Sequence, residues 1–132
     1  MAEPAVYVLD GEGLSQAVLG HRHMVARLRD ADRTGIRVVT ASMTLIEAYH
    51  NRVKNAAWTW ALSRIVVEPV TPENAGEAIA LLKAAGLHGH KYAIDAALAA
   101  VALRQRGDVT IFTSDAEDMT LLCGNRVTVR GI

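Results

Sequence analysis

Five carboxylates stand out for the chemistry they could do: Asp10, Glu47, Asp95, Asp115 and, three residues further on, Asp118. Carboxylates held close together repel, and they stay partly protonated unless a dication occupies the space between them. Hard oxygen donors suit Mg²⁺ or Mn²⁺ rather than zinc. Such an ion lowers the pKa of a water and steadies charge on phosphoryl oxygens, so hydrolysis assisted by a divalent metal is the chemistry this set would support.

Asp95 is the most informative. Its surroundings, Tyr92-Ala93-Ile94-Asp95-Ala96-Ala97-Leu98-Ala99-Ala100-Val101, are nearly all apolar and predict a largely buried helix. An isolated carboxylate there costs several kcal/mol unless it is paired or bound to metal. A pair with Lys91, four residues before, is the plain alternative. With the base preceding the acid, that pair contributes only about 0.2–0.5 kcal/mol. Asp10 ends an apolar run and precedes Gly11-Glu12-Gly13, so it reads either as a helix N-cap or as a ligand. Glu47 closes Thr44-Leu45-Ile46-Glu47, a capping-box pattern. If Ser42 is the cap instead, Glu47 lies a turn further in and is free to face the site. Ser114-Asp115-Ala116-Glu117 also fits a capping box, which makes Glu117 structural and leaves Asp115 and Asp118 on one helix face.

These acids need elements to bring them together. Apolar runs predict strands at 5–9, 36–40, 65–70, 108–113 and 126–129. Helices are expected near 14–19, from about 24 to Gly35, and over 43–54, 56–64, 72–86, 91–106 and 116–122. Thr71-Pro72-Glu73 is a capping hydroxyl, a proline at the first helical position and an acid in the first turn. Short strands alternating with helices imply an α/β fold, a parallel sheet covered on both faces by helices. In such folds ligands bind at the carboxyl ends of the strands, where Asp10 and Asp115 fall.

With 132 residues the chain is expected to be one domain, and 51% hydrophobic content suffices for a core. Fourteen basic and fourteen acidic side chains cancel, so there is no global positive field to attract nucleic acid. Any hold on RNA must be local, by Arg and Lys rimming the acids. Cys123, the only cysteine, rules out an internal disulfide and disfavours a Cys-based zinc site. No signal peptide or membrane-spanning run is recognisable, and a cytoplasmic protein is expected. The five histidines form no metal-ligand set. Trp58, Ala61, Leu62 and Ile65 make a core stripe, whereas Trp60 falls on the opposite face, which leaves a protein interface or packing against a neighbouring helix.

Four segments in order, Val6-Tyr7-Val8-Leu9-Asp10, Leu45-Ile46-Glu47-Ala48, Ala93-Ile94-Asp95-Ala96 and Phe112-Thr113-Ser114-Asp115-Ala116-Glu117-Asp118, span nearly the whole chain. Together they resemble the PIN domain, and within it the VapC-type toxins of toxin–antitoxin pairs. The resemblance implies a PIN-like three-layer α/β/α sandwich with a central five-stranded parallel sheet. It implies Mg²⁺ or Mn²⁺ on Asp10, Asp95, Asp115 and Asp118, with Glu47 orienting a water and Lys91 holding substrate phosphate. It also implies endonucleolytic RNA cleavage, a cognate antitoxin partner and a homodimer. Many relatives carry a further Asp one turn before the central one, and this chain has Tyr92, preceded by His90-Lys91. Two other readings are a haloacid-dehalogenase-like phosphatase, which needs an Asp where Glu12 stands, and a PIN-like binding module without catalysis.

Overall fold

The structure, a computed structural model, describes residues 3–132. Strand β1 (Ala5–Leu9) is buried at Val6, Val8 and Leu9 and stops at Asp10. The Asp10 side chain accepts the Gly13 N–H at 2.8 Å, and so starts α1 (Gly11–Val18) three residues before the first apolar position predicted for it. Helix α2 (Arg22–Thr34) ends where Gly35 adopts φ 74°, a left-handed conformation that favours glycine. Strand β2 (Arg37–Ala41) follows and leads directly into α3 (Ser42–Ala48).

The helix predicted over 43–54 is shorter than expected. Tyr49 is extended (ψ 136°), and the chain turns through 49–54 before α4 (Asn55–Leu62). Neither proposed cap operates at the start of α3. Ala41 is the cap residue, the Ser42 hydroxyl accepts the Val70 N–H at 3.2 Å, and Thr44 is buried inside the helix. The capping-box account of Glu47 is therefore corrected, and its carboxylate is not spent on the helix start.

Strand β3 (Val66–Glu68) is only three residues long and ends before Pro69. Helix α5 (Pro72–Ala85) begins as the sequence predicts, with the Thr71 hydroxyl accepting the Asn74 N–H at 3.1 Å. Helix α6 (Gly89–Arg104) is buried continuously from Ala96 to Ala102. Five alanines in that run let its backbone pack close to the sheet. Strand β4 (Asp108–Thr113) precedes α7 (Ala116–Cys123). Asp115, not Ser114, is the α7 cap residue and makes no side-chain capping bond, so the Ser114–Glu117 box is a second correction. Strand β5 (Thr128–Gly131) lies two residues later than predicted, because Arg126 still belongs to the turn and donates to the Cys123 carbonyl.

All five strands are parallel, in the order β3-β2-β1-β4-β5. One face carries α5, α6 and α7 over Val8, Val39 and Ile111, and the other carries α1, α2 and α4 over Leu9, Val38 and Phe112. These are the three layers the sequence implied. Successive strands run outward from β1 through β2 to β3, and then the chain crosses back to β4 and β5. The order reverses between β1 and β4, and the carboxyl ends of those two strands open a crevice there. No described helix is long and apolar enough to cross a membrane.

Trp60 departs from its predicted outward position. It packs with Trp58 and Leu62 against the core beneath α1 and α4, and the guanidinium carbons of Arg64 and Arg29 lie 4.5 and 5.5 Å from its ring centre.

Candidate active site

At the reversal point, Asp10 ends β1 and Asp115 follows β4, with β1 and β4 paired residue for residue from Ala5 and Asp108 to Leu9 and Phe112. Asp10 is buried at 4% exposure, and both of its oxygens are engaged by backbone donors. Oδ1 accepts from Gly13, and Oδ2 accepts the Ser114 N–H at 2.9 Å. The cap and ligand readings of Asp10 are thus not alternatives. The same carboxylate starts α1 and ties the β4–α7 loop to the end of β1. Because Ser114 donates there, and the Asp115 N–H goes to the Thr113 hydroxyl at 2.9 Å, the loop is held with the Asp115 carboxylate left out of the capping.

Glu47 arrives from α3. A Cβ placed on Gly11 would lie 2.6 Å from the Glu47 carboxyl carbon, so any side chain there would displace the Glu47 carboxylate from its place beside the start of α1. Asp95 arrives from α6, one residue before the helix becomes fully buried. A cavity of about 280 Å³ is lined by Asp10, Glu47, Asp95 and Asp115, with Ser15 and His50 beside them. A second, of about 560 Å³, adjoins it and adds His90, Lys91, Tyr92 and Asp118.

The acids affect one another's ionisation. Burial raises the Asp95 carboxyl from its usual 3.8 to about 6, helped in turn by the charges of Asp115, Glu47, Asp10 and Asp118. Glu47 is also pushed upward, first by burial and then by Asp10 and Asp115. No cation neutralises Asp95. The ion pairs among the described residues are Arg33–Asp30, Arg37–Glu68 and Arg104–Glu77, and the Lys91 ammonium lies 5.2 Å from the Tyr92 ring centre instead. The expected helical pair between Lys91 and Asp95 is not formed.

His50 and Ser15 line the acidic cavity, and the sequence reading had not singled them out for it. His50 Nδ1 accepts the Arg52 N–H at 3.2 Å, which fixes the ring through the turn after α3. Its place three residues after Glu47 was the available signal. Glu12, the position at which a dehalogenase-like phosphatase needs its second aspartate, is exposed and accepts from Gln16 at 3.2 Å.

No family model matches the chain, and no curated protein matches it. Among solved structures, the crystal structure of VapBC2 from Rickettsia felis bound to a DNA fragment from their promoter contains a similar chain. The two share a TM-score of 0.67 and 14% sequence identity, over 96% of this chain and 98% of that one. The fold is PIN-like.

Whether this site suits a metal can be judged from its donors. Among the described residues, no three His, Cys, Asp or Glu side chains are drawn into a ready-made metal-ligand group. The donor set itself fits a hard divalent cation. It consists of carboxylates from α3, α6 and the ends of β1 and β4, without a thiol, and burial, helped by the neighbouring charges, raises the Asp95 carboxyl to about 6. Cys123 is buried elsewhere, and burial pushes its thiol up to about 11, so it is no thiolate ligand.

Proposed function

We propose that this chain is a VapC-type PIN ribonuclease, the toxin of a toxin–antitoxin pair, hydrolysing RNA phosphodiesters with Mg²⁺ or Mn²⁺. One observation carries the reading: acids from four separate segments converge at the point where the strand order reverses, around an aspartate whose pKa is raised by burial and by their charges and which pairs with no cation among the described residues. The likeness of fold to a chain of a VapBC2 complex supports it.

Asp10, Asp95 and Asp115 would hold the ion, with Asp118 at the edge of the set. When bound, the cation supplies Lewis-acid stabilisation of the phosphoryl oxygens and acidifies a water. The protein's own contributions follow from position. Asp10 is immobilised by two backbone N–H donors and gives the site a fixed reference point. Glu47, pushed upward from its usual value by burial and then by Asp10 and Asp115, suits the role of accepting a proton from the attacking water at its carboxylate. Lys91 and His90, at the mouth of the larger cavity, supply donors for substrate phosphates. The antitoxin and a homodimeric state belong to the same proposal, as does a cytoplasmic location. Exposed Ile46 and Tyr49 flank Glu47 on α3, apolar surface that a protein partner would cover.

The test is cleavage of a mixed RNA pool by the purified protein with Mn²⁺ or with EDTA, alongside Asp95→Asn. Cleavage that needs Mn²⁺ and is lost in the variant supports the reading. Equal cleavage by parent and variant overturns it. Calorimetry that detects no Mn²⁺ binding to the parent would instead leave a PIN-like binding module.

A further inference from the structure

On the α2 side of the sheet, two arginines converge on one aromatic ring. The guanidinium carbon of Arg27, from α2, lies 4.3 Å from the Phe112 ring centre, and that of Arg130, from β5, lies 5.7 Å from it. Phe112 is 1% exposed and meets Tyr7 edge-on at 5.0 Å, so the ring is a rigid support beneath the two guanidinium groups. Beside them lies a cavity of about 300 Å³ lined by Tyr7, His23, Arg27, Asp30 and Arg130. The carboxylate in that set is already engaged, because Asp30 pairs with Arg33 one turn along α2. Neither Arg27 nor Arg130 forms an ion pair among the described residues. Burial and then the Arg130 charge hold Arg27 below the usual arginine range.

Two like charges placed together beside a buried ring, with no counter-charge of their own among the described residues, repel until an anion joins them. The surrounding donors specify its kind. Two guanidinium forks, a phenol and an imidazole offer more N–H and O–H groups than a single carboxylate can accept, whereas the oxygens of a phosphate accept from several directions at once. The location points to the substrate. Arg130 is in register with Phe112, whose carbonyl accepts the Asp10 N–H at 3.2 Å, and Asp115 lies three residues beyond Phe112. Tyr7, which lines the subsite, stands on β1 three residues before Asp10, so at the strand rise of about 3.3 Å per residue their backbones are about 10 Å apart, a span that a few nucleotides of single-stranded chain can bridge. A chain of zero net charge with an acidic centre needs a local cationic hold of this kind to retain RNA.

We propose that Arg27 and Arg130, with Tyr7 and His23 beside them, form a phosphate-binding subsite on the α2–β5 face that takes a backbone phosphate of the RNA substrate. The proposal rests on the ribonuclease reading above for the source of the phosphate, though not for the phosphate chemistry.

Binding of a short labelled single-stranded RNA, followed by anisotropy in EDTA over a range of salt, tests it. The variants are Arg27→Met, which keeps an apolar stem over Phe112, Arg130→Gln on the exposed edge strand, and Arg130→Lys. The expected result is about tenfold weaker binding for Arg27→Met and Arg130→Gln. The slope of log K against log salt should become shallower by about 0.7, the loss of one phosphate contact, with Arg130→Lys between these variants and the parent. A parent that cleaves RNA while both charge-removing variants keep its affinity and slope overturns the subsite and leaves the ribonuclease intact. A second arm measures the melting temperature in inorganic phosphate against chloride at equal ionic strength. Should the parent fail to bind RNA, stabilisation by phosphate in the parent but not in Arg27→Met supports a site for free phosphate and removes the RNA source. Competition by polyglutamate, with no response to RNA or phosphate, overturns the assignment in favour of an acidic protein segment.

Discussion

Asp95→Asn should stabilise the metal-free protein at alkaline pH while abolishing metal-dependent cleavage. Unfolded, Asp95 ionises near 3.8, and in the folded site it does so near 6. Below the first value both states hold the proton, and the group contributes nothing. Between the two, the folded state keeps a proton that the unfolded state has lost, so stability falls as pH rises. Above about 6 the penalty is complete. A shift of about 2 units corresponds to a ceiling of about 3 kcal/mol at 1.36 kcal/mol per unit. Asp95 is only partly buried, and solvent screening reduces this to about 1–1.5 kcal/mol. Asparagine has nearly the same shape and no charge to desolvate. In EDTA at pH 8 the variant should therefore unfold at higher denaturant, with a melting temperature about 3–6 °C above the parent's. At pH 4 the two curves should nearly coincide. Adding Mn²⁺ at pH 8 should raise the parent and leave the variant almost unmoved, since an ion that binds only the folded state stabilises it by mass action. Denaturant titrations at both pH values, each with and without the ion, make the measurement. If the parent–variant gap is the same at pH 4 and pH 8, or the variant is the weaker protein at pH 8, the Asp95 carboxyl is not held up by burial and its neighbours' charges, and the reasoning fails.

Three further outcomes follow from the packing. Gly11→Ala places a methyl group against the Glu47 carboxylate and should cut cleavage about tenfold or more, with far-UV circular dichroism unchanged. Asp10→Ala strips acceptors from the Gly13 and Ser114 N–H groups at once and should cost about 2–4 kcal/mol in urea unfolding. A cost below about 0.5 kcal/mol would show that Asp10 does not organise the loop. Gly107 has φ 121°, and a Cβ there would run into the Pro4 carbonyl, so Gly107→Ala should destabilise by about 1–3 kcal/mol, read as a lower melting temperature.

The two corrected caps share a cause. Thr44-Leu45-Ile46-Glu47 and Ser114-Asp115-Ala116-Glu117 both satisfy the local pattern of a capping box, yet in neither does the polar residue cap the helix. The Ser42 hydroxyl is drawn to Val70 and the Ser114 N–H to Asp10, partners 28 and 104 residues away in the chain. A long-range bond to a buried carboxylate outweighs a local one worth about 1 kcal/mol, and no window of sequence reveals it. Trp60 stayed open between an interface and packing for a similar reason. Angular position on α4 says which way a side chain leaves the helix, but not that Arg29 and Arg64 will cover it there.

The amino-acid sequence by itself determined the kinds and order of the elements, the apolar strand that ends at Asp10, the α5 start at Thr71-Pro72, and the suspicion attached to Asp95. Each of these depends on periodicity or on the cost of an acid among alanines, which are properties of neighbours in the chain. Only the tertiary structure decided that β4 would insert beside β1, so that the strand order reverses there and Asp115 joins Asp10. It also decided that Glu47 would press against Gly11, and that Arg27 and Arg130 would meet over Phe112. Strand order and the approach of side chains are set by how the layers pack against one another, and that information is spread over the whole molecule rather than held in any one segment.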